Sequence, residues 1–174
     1  MLKEKRSQMR NFYVLLMSIF LLNACMHVNV SGWASKTKTL LPAGNVCTNQ
    51  NGGQVSINVS GRGKVTVTAQ VMLGLKRHTS GEIDMMMVHI GASATDCTYN
   101  APLEGYNQMG FSIPKDEPSW SASVVRLIPV TVSRTFTVDS AGSKTFYLNG
   151  RRVAGIGNGY IWESSMQAVY YPEM

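Results

Sequence analysis

The sequence predicts an all-β chain: one antiparallel β-sandwich, jelly-roll-like, in a single domain. Three observations carry that expectation. Apolar residues alternate with Thr, Ser and Gln over several runs, the two-residue period of a half-buried strand. Clusters of Gly, Asn and Ser punctuate those runs at short intervals. No stretch holds a helical period of useful length, and no internal repeat is present. Some eight short strands at this spacing fit a sandwich or a jelly roll.

The chain has 174 residues. Residues 1–24, or alternatively 1–34, are expected to be an export signal. Residues 25–53 read as a polar lead-in and residues 54–174 as the sandwich. Met1 to Arg10 is basic, and Phe12 to Leu22 is apolar apart from Ser18. A positive segment followed by an apolar run of this length makes a secretory signal. The run is too short to span a bilayer, and Asn23, His27 and Asn29 interrupt its extension. Leu22-Asn23-Ala24-Cys25 resembles the lipobox of bacterial lipoproteins, with Asn23 as a departure. That resemblance implies lipidation of Cys25 and a membrane anchor. The alternative is a small-x-small site at Gly32-Trp33-Ala34, with release before Ser35. The first is favoured. The expected location is the bacterial envelope or the exterior.

The formal charge is +6, but Lys3, Lys5, Arg6 and Arg10 precede the apolar run, with Glu4 as the only acid there. The surplus on the rest is smaller, aids solubility and gives no ground for nucleic acid as a partner. Of three cysteines, Cys47 and Cys97 lie in the folded part, where an oxidising compartment would pair them. In the chain-entropy model the bridge contributes on the order of 4 kcal/mol.

Gln54 to Ser60 puts Val55, Ile57 and Val59 on one face. Lys64 to Leu73 does the same with Val65, Val67, Ala69, Val71 and Leu73. Gly61-Arg62-Gly63 between them predicts a hairpin. Lys76 to Glu82 is a polar loop. Ile83 to Ile90 is apolar on both faces, as a covered central strand must be. Gly91 to Pro118 is loop-rich, with a short strand at Met109 to Ile113. Ser119 to Val138 is the most strongly patterned stretch. After Pro129, Val130, Val132, Phe136 and Val138 share one face, interrupted by Arg134. Pro129 lacks an N–H and is expected to divide this run or mark an edge bend. Asp139 to Gly142 is a turn, Lys144 to Asn149 a returning strand, Gly150 to Gly159 a glycine-rich loop and Tyr160 to Tyr171 the closing strand.

Phe146-Tyr147-Leu148 and the segment Ser164 to Pro172 are similar to the last two strands of C1q/TNF-like jelly rolls, over about thirty residues. Met166 and Ala168 stand where that family has an aromatic residue and a glycine. The resemblance implies a jelly-roll fold, trimers and ligand recognition without catalysis.

Met85, Met87 and His89 alternate on one strand face, a ligand set suited to Cu(I). Burial explains the same residues, because Met86, Val88 and Ile90 make the other face apolar too. His78, Glu82, Asp84 and Asp96 could supply acid–base groups, and Ser80 lies near His78. No nucleophile motif frames them, so no catalytic residue and no cofactor or metal is assigned. Asp116-Glu117 supplies too few oxygens for calcium. Asn58-Val59-Ser60 fits a glycosylation sequon, relevant in a eukaryotic host.

Tyr106, Trp120, Tyr160, Trp162, Tyr170 and Tyr171 exceed what one core needs, and Tyr and Trp are favoured contact residues. Arg151-Arg152 is the densest positive spot late in the chain. The expected function is therefore an exported, non-catalytic module that binds a glycan or protein partner through Arg151, Arg152, Tyr160 and Trp162. A structural subunit, joined through a strand edge or as a homotrimer, comes second. A periplasmic Cu(I)-binding protein and a hydrolase are the remaining alternatives.

Overall fold

The computed structural model describes residues 29–35, 37–76, 84–98, 108–113, 125–154 and 158–173. The signal and Cys25, His78 with Ser80 and Glu82, Tyr106, Asp116-Glu117 and Trp120 lie outside the described residues.

Among the described residues, nine strands form two sheets. They are β1 (Val30–Ser35), β2 (Thr39–Leu41), β3 (Thr48–Val59), β4 (Gly63–Lys76), β5 (Asp84–Gly91), β6 (Gln108–Ile113), β7 (Val125–Val138), β8 (Gly142–Ala154) and β9 (Asn158–Pro172). The front sheet has the order β1-β9-β4-β7, with β2 also paired to β9. The back sheet has the order β3-β8-β5-β6. Every pair is antiparallel.

The pairing is nested. β1 and β2 meet β9, β3 meets β8, β4 meets β7 and β5 meets β6. This is one long antiparallel ribbon rolled on itself, the jelly-roll arrangement. The rolling is sealed by β4–β9 in front and β5–β8 behind.

The core lies between the sheets and follows the alternation of the strands. Val65, Val67, Ala69, Val71, Leu73 and Leu75 of β4 are all buried, and Val55, Ile57 and Val59 of β3 face them. Met86, Val88 and Ile90 of β5 and Phe146 and Leu148 of β8 complete the back wall. β5 is internal and covered, as its two apolar faces require.

Four expectations are corrected. Gly61-Arg62-Gly63 does not close a hairpin: β3 belongs to the back sheet and β4 to the front, so the turn crosses between sheets. Alternation gives each strand a buried face but does not say which strand shares its ladder. Pro129 does not divide its run. It sits in unbroken register opposite Met72, in a strand at the sheet edge, where a missing N–H is tolerated. Gly150 to Gly159 is mostly strand: β8 runs to Ala154 against β5, and β9 starts at Asn158. The polar lead-in carries two strands. β1 and β2 are short and polar, with only Trp33 and Leu41 supplying large apolar groups to the core.

Cys47 and Cys97 form the expected disulfide, across a sequence separation of 50. It joins the approach to β3 to the segment after β5. A Cys47→Ala/Cys97→Ala variant is expected to lose about 2–4 kcal/mol of unfolding free energy in urea titration. Intact mass should show a gain of two hydrogens on reducing the parent protein.

Candidate functional site

The sandwich offers two outer faces and a set of buried or half-buried polar groups near the disulfide. Around the disulfide, Asn49 Nδ2 donates to Gly53 O and Leu148 O, both at 3.0 Å. Asn149 Nδ2 donates to the carbonyls of Ser93 and Asp96 at 2.8 Å. Arg134, the polar residue inside an apolar face, reaches across from β7 to the back sheet. Its Nη1 donates to Ile90 O at 3.0 Å and pairs with Asp96 at 3.2 Å. Burial alone would push Asp96 up. The N–H groups of Thr98 and Ala92, the Thr98 side chain and the Arg134 charge outweigh it and hold Asp96 below its usual value. This cluster closes one end of the core and is structural.

Met85, Met87 and His89 do share the outer side of β5. His89 is fully buried, and among the described residues neither ring nitrogen has a hydrogen-bond partner. Burial lowers its pKa to about 4, with the Arg151 charge adding to the shift, Asp96 opposing it and Arg134 reinforcing it. Arg151 stands opposite Met87 in the ladder. Its charge opposes a cation among these thioethers, so the arrangement does not favour Cu(I). His89 also lacks access to substrate. Among the described residues no three His, Cys, Asp or Glu side chains converge as metal ligands.

The four expected contact residues do not share one surface. Gly150 faces the core, where an added Cβ would meet Ile161 and Leu41. Alternation then puts Arg151 on the outer side of the back sheet and Arg152 between the sheets, 6% exposed. Tyr160 and Trp162 lie on the outer side of the front sheet, on the opposite face of the molecule.

What turns Trp162 outward is a bulge. Val71 of β4 pairs with Ser164, but Leu73 pairs with Ile161, so Met72 alone stands opposite Trp162 and Glu163. The extra residue reverses the alternation. Ile161, Ser164, Met166, Ala168 and Tyr170 face inward, while Tyr160, Trp162 and Glu163 face out. Gln50, fully buried on β3, holds the bulge from behind. Ser164 Oγ donates to Gln50 Oε1, and Gln50 Nε2 donates to Trp162 O at 3.3 Å and Thr37 O at 3.4 Å. Trp162 lies over Gly74, where an added Cβ would come within 3.4 Å of its ring. Lys38 Nζ sits 3.8 Å from the Tyr160 ring centre and 4.9 Å from that of Trp162.

Beside this aromatic pair a shallow groove of about 570 Å³ runs over the front sheet, lined in part by Gln70, Met72, Pro129, Thr131, Glu163 and Ser165. A second depression of about 600 Å³ shares Ala34, Gln70 and Ser165 with it and continues towards Val30 and Gln167. Further along β4 and β7 on the same face lies a hydroxyl ladder: Thr66 meets Thr135 and Thr68 meets Ser133, each at 3.1 Å. Val30, Leu40, Leu127 and Tyr171 on this side are four of the five exposed large hydrophobic residues among those described. Sequence reasoning missed this face because its members are scattered over five strands. Their only shared signal is the outward parity of β4 and β7.

Gln50→Ala is expected to cost about 1–3 kcal/mol in urea titration, because Ser164 and the Trp162 carbonyl lose buried partners. For His89 the folded pKa lies below the unfolded 6.5, so the unfolded chain binds the extra proton. Stability is then full above pH 6.5 and falls as pH drops towards 4, by on the order of 3 kcal/mol. His89→Leu should remove that part of the pH profile.

The sequence matches no family model and no curated protein. Among solved structures, the Eiger TNF of S. frugiperda is 13% identical with a TM-score of 0.42, over 86% of this chain and 94% of that one. The infectious bursal disease virus Gx strain is 8% identical, with a TM-score of 0.37 over 83% of this chain and 32% of that one. The VP2 subviral particle of the same virus is 11% identical, with a TM-score of 0.32, over 83% of this chain and 33% of the viral one. The chain thus spans about a third of the viral chains it matches. Likenesses this distant carry no functional argument, and the jelly roll rests on the strand pairing itself.

Proposed function

We propose that the chain is an exported, non-catalytic module that works through the outer face of the front sheet, and that this face takes a second copy of the chain. The observation that carries the reading is that Val30, Leu40, Leu127 and Tyr171 all face that side, Val30 and Tyr171 towards one end of the sheet and Leu40 and Leu127 towards the other. Apolar groups collected on one face mark a contact surface, whereas single ones scattered over a protein do not. Between Lys64 and Glu163 the described outward residues are uncharged: Thr66, Thr68 and Gln70 on β4, Thr131, Ser133 and Thr135 on β7, Ser165 and Gln167 on β9. Depletion of charge with Tyr, Trp and Met nearby is the composition of interface centres. A near-neutral face meets its own copy without like-charge repulsion, even though the chain as a whole carries a surplus of cations. The disulfide supports an oxidising compartment, and with the basic, then apolar N-terminus it supports export.

A second reading seats a glycan on Tyr160 and Trp162. The adjoining groove favours it, since hydroxyl and amide groups line one side and aromatic rings the other. Membrane attachment through Cys25 remains part of the proposal and is compatible with both readings.

Sedimentation of the processed protein over a range of concentrations tests the first reading. A mass that is a multiple of the chain, reduced to one chain by Leu40→Asp/Leu127→Asp, is the expected result. A single-chain mass at every concentration overturns it. Binding of soluble oligosaccharides that is lost in Tyr160→Ala/Trp162→Ala would then favour the glycan.

A further inference from the structure

We infer that export processing leaves Asn29–Ser35 in the mature chain, so that the signal is cut ahead of Asn29 and not between Ala34 and Ser35. This rests on the export reading above. Two processing positions are legible in the sequence, and their chemistry alone does not separate them. The fold does.

β1 is built into the front sheet along its whole length. Its six residues pair one to one with β9, from Val30 opposite Val169 to Ser35 opposite Ser164. Trp33 faces inward and packs against the core. The described residues begin one position earlier, at Asn29. Asn29 O accepts a hydrogen bond from Tyr170 N at 3.0 Å, and Asn29 Nδ2 donates to Asn58 O at 2.8 Å. Asn29 thereby ties the start of β1 to both sheets.

A cut after Ala34 would remove all of this. Trp33 would no longer cover the core beside Met166 and Ala168. The backbone of β9 from Ser165 to Val169 would lose its ladder on one side and become a bare sheet edge. Such an edge is a template for pairing with other chains, which native proteins cover or shorten. β2 does not protect it, because β2 pairs only with Gly159, Tyr160 and Ile161. A cut ahead of Asn29 leaves every one of these contacts in place. Cleavage before Cys25 meets this condition. Val30, one of the exposed apolar residues of the front face, is retained as well.

The test uses the full-length chain expressed in its own host, with intact mass read on the mature protein and on Ala34→Leu. Ala34 is exposed on the outer side of β1, so leucine is accommodated in the fold, while a large side chain there blocks a small-x-small cut. The expected result is a dominant species beginning at Asn29 or earlier, with or without acyl chains on Cys25. Ala34→Leu should be processed at the same position, its mass changed only by the substitution. A species beginning at Ser35, or an Ala34→Leu chain that accumulates uncut beside a processed parent, overturns the inference while leaving export intact. A parent chain that itself begins at Met1 overturns export and the inference together.

Discussion

β9 is hydrogen-bonded along both of its edges, and the front sheet depends on that. On one side it meets β1 and β2, on the other β4. β4 in turn is paired on its far side with β7 over fourteen residues. With both edges of β4 occupied, its inward side chains lie against the back sheet without access to water. Each such Val or Leu contributes about 1.5–3 kcal/mol on burial. The polar groups that join the sheets, Gln50 at the bulge and Arg134 near the disulfide, sit where apolar packing ends. They satisfy backbone groups that irregular chain leaves open.

Much of this was legible in the residues, and the remainder was hidden for identifiable reasons. The faces of β3, β4 and β7 follow from alternation, and the bridge between Cys47 and Cys97 from counting cysteines. The partner of each strand does not follow, since a buried face is equally satisfied by either sheet. That is why the turn at Gly61–Gly63 gives a hairpin signal and forms a crossing. Glycines at 150 and 159 signal a loop, yet both lie within strands where side chains from the other layer come close. The aromatic pair was visible as composition only. Uninterrupted alternation from Met166 back to Tyr160 would have turned Trp162 inward. The bulge that turns it out depends on Gln50, a residue 112 positions away in sequence. Arg151 and Arg152 illustrate the converse: neighbours in sequence, they are separated by the thickness of a sheet.

The division of the two outer faces bears on how the module meets other molecules. On the back face His89 is fully buried, and Met85, Met87 and Arg151 are half-buried beside it. The front face is broad, weakly charged and open, and its ends are apolar. Its hydroxyl ladder fixes the Thr and Ser side chains across β4 and β7 in pairs. Less rotamer freedom is left to lose on contact, which lowers the entropic cost of covering the face.

The position of β9 also governs when the molecule can form. β9, which follows every other described strand in the chain, belongs near the middle of the front sheet. Until it arrives, β1 has no ladder to join and β4 has one edge bare, however long those strands have been synthesised. The nested pairing places most contacts far apart in sequence, which is the slow regime of folding. On the proposed export reading, a chain passed N-terminus first through a channel stays unfolded along β1 and one edge of β4 during transit. Its first strand becomes structured only after its last has come through.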